Sequence, residues 1–266
     1  MRSMRPNWSS VGLAFLPLFA FLLLWQAAYS YHWMPAWIIP SPANTTVAFW
    51  ELLRTGNLVE LIGTSARNAL PPFLVAILAA LVLGSIIGMV DLVRRILYPT
   101  LSALYPIPSM AWLTLIVLFV GFNQQAIWAV VFVSSFFKMI YSVIAGVRGV
   151  EQKWILAARN LGMRQHQVLL HVIIPGALPQ CLTGVRMGFG SAWKSLIGAE
   201  MLVASFGGLG TFIWMAQWYF NFDKVLIGII VIAAIGFFFE QVVFRSLEQY
   251  TLKRWGLLRD GASADR

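Results

Sequence analysis

Six apolar runs constrain this chain more than any other feature of its sequence. A helix needs about 20 mainly apolar residues to cross a hydrocarbon core about 30 Å thick, and lipid offers no hydrogen-bond partner to open backbone groups. The sequence therefore predicts an all-α, polytopic membrane helical bundle that forms one domain over residues 1–266, with spans at 11–29, 61–90, 97–120, 126–147, 178–204 and 223–244.

The charged residues support this interpretation by their number and by their position. Only 11% of the chain is charged, against about a quarter in soluble domains. The net charge of +9 lies mostly beside the apolar runs, which is typical of topology signals rather than of a nucleic-acid surface. We therefore predict a multi-pass membrane protein, in contact with lipid and without a nucleic-acid partner, whose two termini are cytoplasmic.

The reactive residue types indicate neither a metal site nor a cofactor. Cys181 is the only cysteine, so the chain has no internal disulfide or cysteine cluster. The three histidines are widely spaced. No lysine follows a glycine, so the phosphate-binding loop of ATPases is absent, and we expect no enzymatic activity. Active transport would need an ion gradient or a separate ATPase.

One long polar interval, residues 149–177, interrupts the apolar pattern on the predicted cytoplasmic side. Helix formers from Glu151 to Leu161 predict a helix, and Gly162 is the residue type that ends a helix in the left-handed conformation. A second short helix is expected from Met163 to Ile174, with an abrupt stop at Pro175. From the residues alone, this interval is either a docking segment for a partner or a surface loop without one.

The spacing within this interval resembles the "EAA" loop of permease subunits in bacterial binding-protein-dependent ABC importers. The family pattern, Glu-Ala-Ala, three residues, Gly, nine residues and Ile-x-Leu-Pro, is matched by Ala157, Ala158, Gly162 and Pro175, with Val172 and Ile174 as conservative replacements. Leu156 stands in place of the glutamate. The nitrate, sulfonate and taurine branch is the most similar, because the chain continues with Ile174–Pro179, Gly184-Val185-Arg186 and Ala199-Glu200.

This resemblance, which extends from about Ser41 to Trp255, implies the fold and the partners. The fold would be that of a type I ABC importer permease. The partners would be a second copy of the chain, two cytoplasmic ABC ATPase subunits and an extracytoplasmic substrate-binding protein. The residues that couple to the ATPase would be Trp154, Leu156, Ala157, Ala158, Gly162, Val172, Ile174 and Pro175.

Two lysines lie inside predicted spans, where a charge indicates a functional site. Lys138 is ten residues from Arg148, or about 15 Å at 1.5 Å per residue, and Lys194 lies eight residues beyond Arg186. Three interpretations are open: the lysines attract an anion in the substrate pathway, one of them pairs with the buried Glu200, or their side chains extend to the membrane interface. The family more often has Phe-Pro at positions 137 and 138, so Lys138 is a departure from its pattern.

Two further interpretations concern neighbouring side chains in the predicted spans. Trp193 is either a packed aromatic residue or a wall of the substrate pathway, and we assign it to the pathway together with Glu200. Arg186 and Glu240 are expected to form a structural ion pair near the cytoplasmic side.

Together with these features, the resemblance implies the transmembrane subunit of an ATP-driven ABC importer that moves a small anion across the bacterial inner membrane. A sulfonate, a taurine-like compound, nitrate or an aromatic carboxylate would fit this class. The alternative is a gradient-driven secondary carrier or channel for a small anion, which would favour an internal inverted repeat. We find no convincing duplication between the two halves.

Overall fold

The computed structural model describes residues 40–254, together with residues 16, 20, 22–31, 33 and 35. The described residues are helices joined by short turns and contain no strand, which confirms the predicted all-α bundle. In chain order the helices are α1 (Pro42–Arg54), α2 (Asn57–Met89), α3 (Asp91–Leu104), α4 (Ser109–Val120), α5 (Gln124–Arg148), α6 (Gln152–Asn160), α7 (Gln165–Val168), α8 (Ile174–Val203), α9 (Leu209–Trp218), α10 (Phe222–Phe238) and α11 (Arg245–Arg254). Two π-helical turns, Leu169–Ile173 and Phe239–Phe244, join α7 to α8 and α10 to α11.

Four helical stretches among the described residues are long and apolar enough to cross a membrane. They are Asn57–Met89, Gln124–Arg148, Gln165–Val203 and Phe222–Glu248, and they overlap the predicted spans 61–90, 126–147, 178–204 and 223–244. Of the predicted first span, 11–29, residues 11–15, 17–19 and 21 lie outside the described residues, and 22–30 are helical.

The predicted third span, 97–120, is divided between α3 and α4, which meet at an angle of 95°. Pro106 and Pro108 lie in the connection, and Pro108 is the N-cap of α4. Proline has no N–H and disfavours helical geometry in the residue before it, so two prolines two residues apart end one helix and begin the next. Counted as one unit, the bent pair raises the number of candidate spans to five.

Helix α5 forms the centre of the bundle. In its most apolar stretch 61% of the residues are buried, against 33% in α2 and 17% in the other two candidate spans. It packs against α2 on one side and against α8 on the other. The exposed apolar side chains lie mainly on the outer helix faces, where lipid is an acceptable neighbour.

Small residues allow both neighbours to approach α5 closely. A Cβ at Gly84 would lie 2.8 Å from Val143 Cβ, and one at Gly184 would lie 2.5 Å from Ser142 Cβ. Each glycine has a second glycine four residues later, Gly88 and Gly188, which also touches α5. This spacing is the small-xxx-small arrangement that lets membrane helices pack backbone to backbone.

The abrupt stop predicted at Pro175 is wrong, because the chain is helical from Gln165 to Val203 without a break. The π-helical turn precedes Pro175, and the Ile174 N–H donates to the Leu169 carbonyl, five residues back. Proline in a helix normally clashes with the carbonyl four residues before it. A wider turn relieves that clash, so the polar interval leads directly into a spanning helix.

Candidate functional site

The first candidate site is the segment between α5 and the long helix Gln165–Val203, built around the short helix α6. The C-terminal end of α6 follows the Schellman pattern: the Gly162 N–H donates to the Arg159 carbonyl at 2.9 Å, and the Met163 N–H donates to the Ala158 carbonyl at 3.1 Å. This pattern requires a left-handed residue after the C-cap. Gly162 has a φ of +82°, which confirms the predicted glycine break.

Helix α6 separates two open grooves. The first, of about 650 Å³, is lined by five of the eight predicted coupling residues together with Leu161; the five are Trp154, Ala157, Ala158, Val172 and Pro175. The second, of about 710 Å³, contains Leu156 and reaches the end of α2 at Gly88–Val90. Ile174 and Gly162 line neither groove.

The segment exposes large apolar side chains although it lies beyond the predicted membrane spans. Trp154 is 59% exposed, Leu156 49% and Leu161 82%. Of the two alanines, Ala158 is buried and supports α6, whereas Ala157 faces outward. Exposed apolar side chains gathered in one place indicate a protein or membrane contact, and sequence reasoning missed Leu161, the most exposed of them.

An ion-pair cluster holds the base of this segment. Asp91 at the start of α3 accepts from Arg148 Nη1 at 3.2 Å and from Arg94 Nη2 at 3.1 Å. Arg148 is the last residue of α5, so the cluster joins the two helices beside α6. These guanidinium groups, Arg148 first, lower the pKa of Asp91 below its ordinary value.

The second candidate site surrounds Lys138, in the middle of α5. Its Nζ donates to Tyr105 Oη at 2.9 Å and lies 4.4 Å from the centre of the Tyr105 ring. Tyr105 belongs to the bend between α3 and α4. Lys138 and this bend enclose a cavity of about 250 Å³.

Lys194 is exposed and lies outside that cavity. It makes no hydrogen bond or ion pair with any residue that the structure describes. Lys138 and Lys194 are therefore not brought together in one chain.

Trp193 packs between helices, as the first of its two interpretations predicts. Its ring is stacked on Phe189 with an interplanar angle of 9°, and its Nε1 donates to the Ile232 carbonyl at 3.2 Å. It does not line the Lys138 cavity.

Glu200 is completely buried, but it does not pair with either lysine. Its carboxylate accepts from Ser65 Oγ at 2.9 Å, from Asn68 Nδ2 at 3.0 Å and from the Gly210 N–H at 3.0 Å. Each donor comes from α2 or from the start of α9. The ion pair with Lys138 or Lys194, which the sequence left open, is thus wrong.

Sequence reasoning missed the partners of Glu200. Ser65 and Asn68 lie three residues apart in an apolar helix, and Ser65 Oγ also accepts from the Leu209 N–H at 2.9 Å. Polar residues on one face of an apolar span are the signal that could have found them. Gly208 passes so close to the Glu200 carboxylate that a Cβ there would collide with it.

The predicted ion pair between Arg186 and Glu240 is confirmed. Arg186 Nε donates to Glu240 Oε1 at 2.7 Å, and Arg186 Nη1 donates to Glu248 Oε2 at 3.2 Å. These contacts connect α8 to the π-helical turn and α11. Within the described part of the chain, no group of three or more histidine, cysteine or acidic residues is placed to hold a metal ion.

An all-helical bundle of apolar spans, with a short helix between two of them that exposes Trp154 and Leu156, indicates an integral membrane protein. The chain belongs to the family of binding-protein-dependent transport system inner membrane components, whose profile matches residues 76–246. It is thus an ABC importer permease, a multi-pass protein of the inner membrane, and this family implies an ATPase and a substrate-binding protein as partners.

Several relatives are similar over most of their length. The taurine transport system permease protein TauC of Escherichia coli K12 is 32% identical over 250 residues, which cover 90% of each chain. The putative aliphatic sulfonates transport permease protein SsuC of Bacillus subtilis is 32% identical, over 87% of this chain and 83% of its own. The bicarbonate transport system permease protein CmpB of Synechococcus elongatus is 25% identical, over 91% and 90%.

Proposed function

We propose that this chain is the transmembrane subunit of an ATP-driven importer for a small anion, and that α6 is the helix by which the ATPase moves it. The observation that carries the proposal is the short connection, residues 161–164, between the exposed helix α6 and the spanning helix Gln165–Val203. A force applied at α6 then acts on a spanning helix after a single glycine turn.

Several features support an ATPase as the occupant of the two grooves. The exposed apolar residues of the segment would be buried by a partner. Arg148 and Arg159 support a cytoplasmic location of the segment by the positive-inside rule. The proposed assembly contains two copies of the chain, two ATPase subunits and one extracytoplasmic binding protein, with both termini in the cytoplasm. The chain itself carries no catalytic residue.

A small anion is the proposed substrate because similar permeases are named for taurine, aliphatic sulfonates and bicarbonate. The membrane helices also hold cationic residues that no acidic residue neutralises in the described structure. Of the four residues assigned to the pathway from the sequence, we propose that Lys138 and Lys194 face the anion and that Trp193 and Glu200 hold the helix α8 that carries Lys194. Replacing either lysine by alanine should then weaken uptake of the anion.

The experiment is a pull-down from solubilised membranes with a tag on this chain, followed by an ATPase assay. Gly162→Val places a β-branched residue at a φ of +82°, a conformation that such residues rarely adopt. Gly162→Asn is the matched control, since asparagine tolerates this conformation. No atom lies near a Cβ at this position, so a difference between the variants reports backbone conformation and not crowding.

We expect the wild type and Gly162→Asn to recover an ATPase and to support ATP-dependent uptake, and Gly162→Val to lose both while still inserting into the membrane. Full uptake by Gly162→Val would refute the coupling role. Uptake that survives ATP depletion would favour the gradient-driven carrier instead.

A further inference from the structure

We propose that the cavity at the bend between α3 and α4 is a binding site for a small organic oxyanion, formed by Lys138 with donors from Tyr105, Ser109, Trp112 and Ser191. This inference rests on the proposed function only for the class of substrate. The site itself is a property of the described residues, and its binding is measured without the ATPase.

The cavity carries one positive charge and no negative one. Its lining contains neither aspartate nor glutamate, and Lys138 is its only ionisable side chain other than Tyr105. The Lys138 ammonium has three N–H donors and gives one of them to Tyr105 Oη. A charged lysine in the middle of a spanning helix is costly unless it faces a polar partner or ligand. The two N–H groups that Lys138 does not give to Tyr105 are therefore expected to bind an anion.

Residues with unpartnered donors line the same space. Trp112 lines the cavity, and its Nε1 is buried without a hydrogen-bond partner. An indole N–H can only donate, and a buried donor left unsatisfied is unfavourable. The hydroxyl groups of Ser109 and Ser191 also make no hydrogen bond with a described residue, whereas the Ser134 hydroxyl donates to the Val131 carbonyl.

The bend adds a helix N-terminus to this set. Helix α4 is 12 residues long, begins at Ser109 and has no side-chain cap. The Ala111 N–H donates to the Pro108 carbonyl at 3.0 Å, so the N–H groups of Ser109 and Met110 are the ones left without a partner in the helix, and the positive end of its dipole favours an anion. Pro108 and Ser109 both line the cavity, which places this end beside the Lys138 ammonium. Broken helices in membrane transporters bind anionic groups by the same physics.

The walls and the size restrict the ligand further. Pro106, Ile107, Pro108 and Phe137 contribute apolar surface. The volume of about 250 Å³ is well above the roughly 10–15 Å³ that a single water molecule needs in a cavity. The site thus fits an anionic head group, sulfonate or carboxylate, that carries a short carbon chain.

The test uses the full-length chain in lipid nanodiscs, with radiolabelled methanesulfonate and acetate as probes and neutral methanesulfonamide as competitor. We expect saturable binding of at least one anion and no competition by the sulfonamide. Lys138→Gln should weaken binding by about tenfold or more, because a hydrogen bond to a charged group is lost. Trp112→Phe, which removes only the N–H from an aromatic wall, should weaken it by about threefold to tenfold.

Lys224→Gln is the control, since it removes one positive charge from α10 outside the cavity. Thermal unfolding of each variant verifies that the bundle is folded, and Trp112→Phe keeps the test valid if Lys138→Gln is unstable. Absence of saturable binding by the wild type would overturn the site. Unchanged binding by folded Lys138→Gln and Trp112→Phe would do so as well.

The two proposals fail separately. ATP-dependent uptake together with unchanged methanesulfonate binding in Lys138→Gln would overturn the cavity and leave the importer intact. Loss of binding in Lys138→Gln together with uptake that ignores ATP would support the cavity and overturn the importer.

Discussion

Asn68 Nδ2 donates a 3.0 Å hydrogen bond to Glu200 Oε1, which joins two residues 132 positions apart in the sequence. Gln124 Nε2 in turn donates to Asn68 Oδ1 at 3.0 Å. The start of α5, the face of α2 and the end of α8 therefore meet in one polar network, in which Ser65, Asn68 and Glu200 are buried and Gln124 is exposed. Its only acidic member is completely enclosed.

Glu200→Leu should lower the free energy of unfolding by about 2 to 4 kcal/mol, because Ser65, Asn68 and the Gly210 N–H lose their common acceptor inside the bundle. Glu200→Gln should cost less, since its amide oxygen still accepts. Reversible unfolding in mixed micelles measures both changes. Glu51→Gln, an exposed substitution on α1, is the control and should shift stability by less than about 0.5 kcal/mol. A Glu200→Leu variant as stable as the wild type would contradict this role.

Two glycines of α2 should respond to alanine with opposite signs. A Cβ at Gly84 would lie 2.8 Å from Val143 Cβ, while a Cβ at Gly63 would meet no atom within 4 Å. Gly84→Ala should therefore destabilise the bundle by about 1 to 3 kcal/mol through overpacking. Gly63→Ala should stabilise it by about 0.5 to 1 kcal/mol, because alanine loses less backbone entropy in a helix. The same unfolding assay measures both, and equal effects would show that α2 does not pack on α5 as described.

The Asp91 cluster predicts a pH dependence with a definite sign. Its folded-state pKa lies below the ordinary value of 3.8, so the pairing stabilises the fold above that pH and is lost as the pH falls through the folded-state pKa. The difference in Tm between the wild type and Asp91→Asn should thus be constant from pH 7 to pH 5 and shrink below pH 3.8. Arg148→Gln should reduce this pH dependence, since Arg148 is the largest cause of the shift. A Tm difference between the wild type and Asp91→Asn that grows as the pH falls would contradict the stabilising role of the Asp91 ion pairs.

Local signals in the sequence predicted the features that depend on a few adjacent residues. Gly162 adopts the left-handed conformation because the end of α6 requires it, and no distant contact is needed. The Arg186–Glu240 pair could also be predicted from the sequence, because charged residues inside apolar spans have few other partners.

Features that depend on several elements could not be predicted in the same way. The π-helical turn before Pro175 has one more residue in its hydrogen-bonded turn than an α-helix has. Without knowledge of that turn, a proline in the sequence predicts the end of a helix. Ser65 and Asn68 have the polarity of a site, but only the packing of α2 against α8 shows that Glu200 is their acceptor. Similarly, the 95° bend at Pro106 and Pro108, which forms the Lys138 cavity, depends on the packing of α4 against α5.

The helix from Gln165 to Val203 is a lever arm: its 39 residues extend about 58 Å at 1.5 Å per residue. A tilt of about 5° about its midpoint would move each end by about 2.5 Å, in opposite directions, which is comparable to the helix shifts that switch protein interfaces. Glu200 lies near the far end of this arm. In the proposed importer, a push at the end of this helix near α6 would therefore displace the Ser65–Asn68 network in the opposite direction by a similar distance, because no loop interrupts the helix between the two.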